Sequence, residues 1–396
     1  MQPLVSARCT NCHKQGGIAP FPLETYAQVK AQGPAMVAAV KSGLMPPWKA
    51  APADVSYLHN PQLTEEQQTM LDAWVKDGMP EGDKGAKKIE VATVGGGIER
   101  ADVTLQLPEP YTPGKTPDDY RCFPIRWPNS DTVYVTGFNA LPDQAAEVHH
   151  VALYVVPPDS ADLPFQWDTE EPGAGYTCFG GPFGSHPQEF PVSVVSAWIP
   201  GSSGITFPRG LGVEVKPGST LVLQMHYNNS TTAPTPDQTK VQFSTSPTVT
   251  NVAAYQPYLD PGWVAGAMQI PPGQSNVMFQ AYSDPRDFFS VLGSPLTLTN
   301  GFNIEGVMFH MHQHGTLGQL WLEKANGTRT KVVEIPNWDF HWQIQYMLDQ
   351  PLRFEAGDKL RLRCTFDNST GTQEVNWGEN SSDEMCVANI FSSQAP

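Results

Sequence analysis

Two periodicities divide this chain. Before about residue 80, apolar positions recur at helical spacing in short stretches. Beyond about residue 100 they alternate with polar ones in short runs broken by Pro, Gly, Asn and Asp. In the first part the spacing predicts a helix over Tyr26–Ala31, which Gly33-Pro34 should break. A second is predicted over Pro34–Ser42, carrying Met36, Val37 and Val40, with Pro34 tolerated in its first turn. A third follows Thr64, a natural N-cap with Glu65 and Glu66 in the first turn. It carries Met70, Leu71, Trp74 and Val75 and stops before Gly78 and Pro80. In the second part strands are predicted over Val133–Val135, Val151–Val156, Ser219–Tyr227, Thr239–Phe243, Gly306–His312, Gly318–Leu322 and Lys359–Thr365. The fold class that follows is mainly β, with β-sandwiches joined by turns behind a small helical domain at 1–80 and a linker at 81–100.

Strand alternation gives the histidines meaning. In Phe309-His310-Met311-His312-Gln313-His314-Gly315, His310 and His312 share a face, which makes half of a metal site. The best further ligand is Met385, in Ser381-Ser382-Asp383-Glu384-Met385-Cys386; a thioether beside two imidazoles favours a soft ion, Cu(I) first. A pair of core histidines with a Met as filler is the plainer alternative. A second constellation sits at His149-His150, where adjacent histidines can reach one ion only if the strand twists or ends. In Leu223-Gln224-Met225-His226-Tyr227, Gln224 and His226 share a face. Three imidazoles suit copper and zinc equally.

Composition narrows the setting. The chain has 396 residues, enough for two or three domains. Its net charge of -16 argues against nucleic acid and anionic membrane surfaces. Only 16% of residues are charged, against 34 Gly and 38 Pro, which suits a turn-rich β protein. No apolar run is long enough for a transmembrane helix, and no signal peptide is visible. Of six cysteines, Cys9 and Cys12 fall in Cys9-Thr10-Asn11-Cys12-His13, the pattern for covalent c-type haem attachment with His13 as an axial ligand. A zinc knuckle or redox dithiol is the alternative, but no second Cys-x-x-Cys completes it. Cys122, Cys178, Cys364 and Cys386 suggest two disulfides, whose pairing spacing does not decide. Haem attachment and disulfides both require export, so a periplasmic or secreted protein without its signal peptide is expected.

Around the Cys-x-x-Cys-His, the loop Gly16-Gly17-Ile18-Ala19-Pro20-Phe21-Pro22-Leu23, the Met45-Pro46-Pro47-Trp48 stretch and Ala73-Trp74-Val75 resemble a bacterial branch of the small class I cytochromes c. The resemblance implies Met45 as the sixth iron ligand, with His59 as an outsider. Residues 100–396 resemble the copper type II, ascorbate-dependent monooxygenases, the group containing peptidylglycine α-hydroxylating monooxygenase and dopamine β-monooxygenase. The likeness rests on Asp119-Tyr120-Arg121-Cys122, His149-His150, Ala197-Trp198, Leu223-Gln224-Met225-His226-Tyr227, Ile270-Pro271-Pro272-Gly273, His310-Met311-His312 and Ser381 to Cys386. It implies two antiparallel, jelly-roll-like sandwich domains, at 101–247 and 248–396, facing each other across a cleft. The first would hold copper at His149, His150 and His226, storing an electron. The second would hold the catalytic copper at His310, His312 and Met385, where O2 reacts. It further implies disulfides Cys122–Cys178 and Cys364–Cys386.

Two departures matter. In the peptide-amidating branch an Arg two residues before the first His of His-x-His grips the substrate carboxylate; here that residue is Met308. Val387 and Asn389 replace that branch's Asn and Tyr. The pocket is therefore expected to be apolar, built from Met308, Ile304 and Phe309, with Gln224 and Tyr120 as further candidates. The fused cytochrome is the other departure, since the animal enzymes draw on ascorbate. Two coppers, a c-type haem, and ascorbate or a protein donor are the expected cofactors and reductants; O2 and a small, largely apolar molecule are the expected substrates. A non-catalytic electron-transfer or copper-binding protein is the competing reading. A hydrolytic zinc site is a third, and leaves Met385 unexplained. His314 is expected beside the site or at the surface, and His186 and His341 as ordinary histidines.

Overall fold

The computed structural model describes residues 1–15, 19–83, 97–98, 100–178, 181–188, 190, 193–199, 204–228, 233–340, 342–378 and 380–395. Residues 16–18 of the loop at 16–23, most of the expected linker, and His341 lie outside them. The chain forms two compact units. One comprises Met1–Trp48, His59–Gly97 and Pro200–Ile205; the other comprises Lys49–Leu58, Ile98–Ile199 and Thr206–Pro396.

The first unit is helical. Its helices are α1 (Gln2–Arg8), α2 (Tyr26–Lys41) and α3 (Glu65–Lys76). Leu4, Val5, Leu23, Val29, Met36, Leu63 and Leu71 form its core. Thr25 and Thr64 each close a capping box with a Gln three residues on. The predicted break at Gly33-Pro34 is absent, because α2 runs through it. Gly33 is buried, and a Cβ there would collide with the Met79 sulfur, so the glycine serves close packing rather than a turn. The capping box and that packing outweigh the missing Pro34 N–H.

The second unit is mainly β. Its first half contributes β1 (Val103–Gln106), β2 (Asp118–Arg126), β3 (Val133–Leu141), β4 (Val148–Val156), β5 (Ser193–Trp198), β6 (Leu211–Val215), β7 (Thr220–Asn228) and β8 (Lys240–Ser246). These pair in the order β1-β8-β3-β6 and β5-β4-β7-β2. Next come β9 (Asn251–Tyr258), β10 (Val277–Ser283), β11 (Phe302–His310), β12 (Gly315–Glu323), β13 (Arg329–Ile335), β14 (Gln345–Phe354), β15 (Lys359–Phe366) and β16 (Val387–Gln394). Here β9-β16-β11-β14 form one layer and β10-β15-β12-β13 another. Strand β9 joins the halves. It pairs with β6 through Asn251 and Val252, with β5 through Tyr255, and with β16 along Ala253–Tyr258. The halves therefore share a hydrogen-bonded strand.

Residues 49–58 pack on this unit. The Ala51 N–H donates to the Glu334 carbonyl at 2.8 Å, the Leu58 N–H to that of Met347 at 2.8 Å, and the Tyr57 hydroxyl to that of Val332 at 2.7 Å. Two disulfides are formed, Cys122–Cys178 and Cys364–Cys386. No helix among the described residues is long and apolar enough to cross a membrane.

Candidate metal centres

A bulge builds the first centre. Strand β4 sets Val148 opposite Tyr227 and His150 opposite His226, leaving His149 as the extra residue. Two residues facing one partner bend the strand, and the bend lets adjacent side chains reach the same side. Nδ1 of His149 lies 3.1 Å from Nδ1 of His226, which lies 3.2 Å from Nδ1 of His150. One ligand atom from each of the three fits within 4.8 Å of the others. Imidazole nitrogens that close repel through their lone pairs unless a proton or cation sits among them, so the donor set fits a metal ion. Burial, with the surrounding imidazoles second, pushes the His150 pKa well below its ordinary value and keeps the ring neutral, as a ligand must be.

The other nitrogen of His226 is committed. Its Nε2 donates to Asp118 Oδ1 at 2.8 Å, which leaves Nδ1 with its lone pair toward the cluster. Asp118 also accepts from Asn228 Nδ2 at 3.0 Å and from Ser381 Oγ at 2.8 Å. Burial raises its pKa, but the hydrogen bonds from His226, Ser381 and Asn228 outweigh that and hold it at about 2. Tyr120 stacks on His226 with ring centres 4.1 Å apart. Gln224 shares the His226 face one rung along, and its amide donates to the Cys178 carbonyl at 3.1 Å, beside the Cys122–Cys178 disulfide.

The second centre straddles a strand end. Strand β11 stops at His310, and His312 lies just beyond it, shorter than the strand predicted through His312. Even so, the two Nε2 atoms lie 3.2 Å apart. Each Nδ1 is used elsewhere: that of His310 donates to Gln343 Oε1 at 2.6 Å, and that of His312 to the Asp383 carbonyl at 3.2 Å. Both Nε2 lone pairs are thereby left for one ion. Burial lowers both pKa values, His312 to about 3 with His310 as the next cause. Val387 pairs with His310, which places Met385 two residues before it in the segment leading into β16, next to Cys386 and its disulfide to β15.

Glu384 organises this region, and it is fully buried. Its carboxylate accepts the backbone N–H of His312 at 2.8 Å, His314 at 2.6 Å, Gly315 at 3.1 Å and Met385 at 3.2 Å. Burial pushes its pKa up to about 8 against those four donors. His314 contributes this backbone bond, while its Nδ1 donates to the Asp367 carbonyl at 3.1 Å.

The expected pocket is only partly assembled. Met308 stands on the His310 side of β11, between Gln345 and Asn389. A bulge at Glu305 then reverses the alternation: Gly306 pairs with Phe391 but Ile304 with Ser392. Ile304 therefore faces away from Met308, fully buried, on the side where Phe302 stacks on Phe354 at 4.7 Å. Phe309 also points into that core, against Gly318. Tyr120 and Gln224 sit with the first centre.

In the helical unit, the turn after α1 brings the His13 N–H to the Cys9 carbonyl at 3.0 Å, and neither Cys9 nor Cys12 is in a disulfide. Burial, then the neighbouring Cys12, pushes the Cys9 thiol up to about 11. The His13 ring is buried and its Nδ1 donates to the Phe21 carbonyl at 2.9 Å, which leaves Nε2 for a metal. Met45 lines a cavity of about 240 Å³ with Val40, Pro46, Leu63 and Gln68. His186 stacks on Trp167 at 4.7 Å, away from both centres.

Several contributors escape a sequence reading. Asp118 directly precedes the Asp119–Cys122 motif, and Glu384 lies inside the Ser381–Cys386 motif, so both are marked by position. Gln343, Trp338 and Phe340 occupy an irregular stretch with no periodic signal.

The family model described as copper type II ascorbate-dependent monooxygenase, N-terminal domain, matches residues 103–234, and the corresponding C-terminal domain matches 261–392. Peptidyl-glycine alpha-amidating monooxygenase A of Xenopus laevis is 27% identical over 72% of this chain and 27% of its own length. Tyramine beta-hydroxylase of Caenorhabditis briggsae is 24% identical over 74% of this chain and 49% of its own. DBH-like monooxygenase protein 1 of Gallus gallus is 23% identical over 62% and 39% respectively. The chain thus spans between about a quarter and a half of the length of these relatives.

Proposed function

The chain belongs to the copper type II ascorbate-dependent monooxygenase family, and from that premise we propose that it hydroxylates a C–H bond of a small, largely apolar substrate with O2. Two coppers serve the reaction, one held by His149, His150 and His226, the other by His310, His312 and Met385. The observation that carries this reading is the pair of imidazole clusters, in which His226, His310 and His312 each have their outer nitrogen hydrogen-bonded and the inner nitrogens converge. Copper in these sites supplies one-electron redox chemistry and O2 activation.

The chain's own residues do the rest. Asp118 and Gln343 fix the tautomers of His226 and His310, and the Asp383 carbonyl fixes that of His312. Glu384 locks the His312–Gly315 turn to the stretch that presents Met385. Met308, flanked by the uncharged Gln345 and Asn389, offers an apolar surface beside His310 and no guanidinium for a carboxylate.

Electrons would be supplied by ascorbate or through a c-type haem, which Cys9, Cys12, His13 and Met45 would hold and which would supply one-electron transfer. The His13 Nδ1 bond to the Phe21 carbonyl supports this, because it leaves Nε2 with its lone pair for a metal. The two disulfides support an exported protein, periplasmic or secreted. The decisive experiment measures O2 uptake against hydroxylated product, with ¹⁸O2 as the oxygen source, in copper-loaded protein over a panel of small apolar compounds. Label in product scaling with copper content is expected. Reduction and reoxidation without product would make the chain an electron carrier instead.

A further inference from the structure

The chain between α2 and α3 closes one side of the second sandwich. Strand β13 ends one layer of that sandwich and β14 ends the other, so each turns a row of backbone groups outward. The segment Lys49–Leu58 crosses from one to the other. At β13 the Asp54 N–H donates to the Lys331 carbonyl at 3.2 Å, and the Lys331 N–H donates back to the Asp54 carboxylate at 2.7 Å. At β14 the Asp349 N–H donates to the Ser56 carbonyl at 2.9 Å, and Tyr57 bridges to Leu348 with its ring 5.6 Å from that of Tyr346. This strap lies outside the residues that the family models match, 103–234 and 261–392.

Lys49 heads the strap, two residues before the Ala51 N–H that donates to Glu334 of β13. Its ammonium pairs with Asp339 Oδ2 at 3.1 Å. Asp339 belongs to the irregular turn between β13 and β14, in which the Trp342 N–H donates to the Asp339 carbonyl at 2.9 Å. Two side chains carry this turn to the second centre. Trp338 Nε1 donates to the His312 carbonyl at 3.0 Å. Gln343 Nε2 donates to the Phe340 carbonyl at 3.2 Å, so the amide presents its oxygen to His310, whose Nδ1 donates to it at 2.6 Å. The place of the Phe340 carbonyl thus decides where the His310 ring is held. The contact of the turn with the first centre is of another kind, the Phe340 ring face on His149 with ring centres 5.0 Å apart.

We propose that Lys49 is a positioning residue for the second copper centre, acting through Asp339 on the turn whose Gln343 orients His310. The paired side chains are 23% and 31% exposed, so water screens the ion pair and it adds little stability. What it fixes is where the turn sits. Metal affinity is sensitive to such outer partners, because a ring held at the wrong angle no longer points its lone pair at the ion. The proposal rests on the two-copper reading above.

The test uses the full chain, titrated with Cu(I) against a competing chelator. The variants are Lys49→Met, Asp339→Asn, Lys49→Arg and the charge swap of Lys49→Asp with Asp339→Lys. The binding step that Met385→Ile removes identifies the second centre. The wild type is expected to take two coppers. Lys49→Met and Asp339→Asn should each weaken the second-centre step several-fold, with the first-centre step and the urea midpoint unchanged. Lys49→Arg should keep the wild-type affinity, and the charge swap should restore most of it. Second-centre affinity unchanged in both Lys49→Met and Asp339→Asn would overturn the proposal alone. So would an equal loss at both centres or a lowered urea midpoint, either of which makes the ion pair a general stabiliser. One copper per wild-type chain would overturn the two-copper reading and this proposal with it.

Discussion

Glu384 accepts the backbone N–H of His312 at 2.8 Å, and the same carboxylate accepts that of Met385 at 3.2 Å. One buried side chain thus joins the histidine half and the thioether half of a candidate copper site. Glu384→Ala leaves four N–H groups without this partner, those of His312 and Gly315 in buried bonds, at about 1–3 kcal/mol for each buried group left unsatisfied. The expected loss is about 3 kcal/mol or more, read as a lower midpoint in urea unfolding. Copper content should fall toward one per chain, because the other centre does not depend on Glu384. Retention of two coppers at wild-type stability would refute this role.

Met385→Ile keeps bulk and removes the sulfur. Turnover should be abolished, while one copper remains bound at His149, His150 and His226. Copper analysis with product assay checks it; measurable hydroxylation by the variant would exclude Met385 as a ligand.

His226→Ala acts on the other centre. It removes the imidazole that pairs with Asp118 and faces both His149 and His150. Multiple turnover with ascorbate should collapse, by at least about tenfold if one of three ligands is essential. The sulfur scatterer that X-ray absorption is expected to show at the second centre should survive.

Substrate choice follows from Met308 and its neighbours Gln345 and Asn389. Peptides ending in glycine should be poor substrates, since a carboxylate buried there has no charged partner. Efficient amidation of a glycine-extended peptide would contradict this.

The helical unit makes its own prediction. Protein matured in a periplasm should show a c-type haem spectrum, absent in Cys12→Ala. In stopped flow, reduced haem should oxidise when O2 and substrate are added together, at a rate independent of protein concentration. Haem that stays reduced through many turnovers would remove it from the electron path.

Much of the site was legible because strand parity is a strong constraint. It put His310 beside His312 and Gln224 beside His226, and the structure keeps both pairs on common faces or in contact. Parity fails wherever a bulge intervenes. At His149 the bulge resolves the puzzle of adjacent histidines, which the sequence signals only as an oddity. At Glu305 a bulge sends Ile304 into the core, and nothing in Phe302–His310 announces it. The helix break expected at Gly33-Pro34 does not form, for a different reason: tertiary packing at Gly33 overrides a local propensity. Phe340 and Gln343 lie in irregular chain, where only the fold brings them to the histidines.

The most direct test of the account is copper analysis joined to X-ray absorption of the reduced protein. Two coppers per chain are expected, both with imidazole ligands, and one sulfur scatterer for every two coppers, lost in Met385→Ile. A wild-type spectrum of Cu(I) with no sulfur contribution would contradict the assignment of His310, His312 and Met385 as the second copper site.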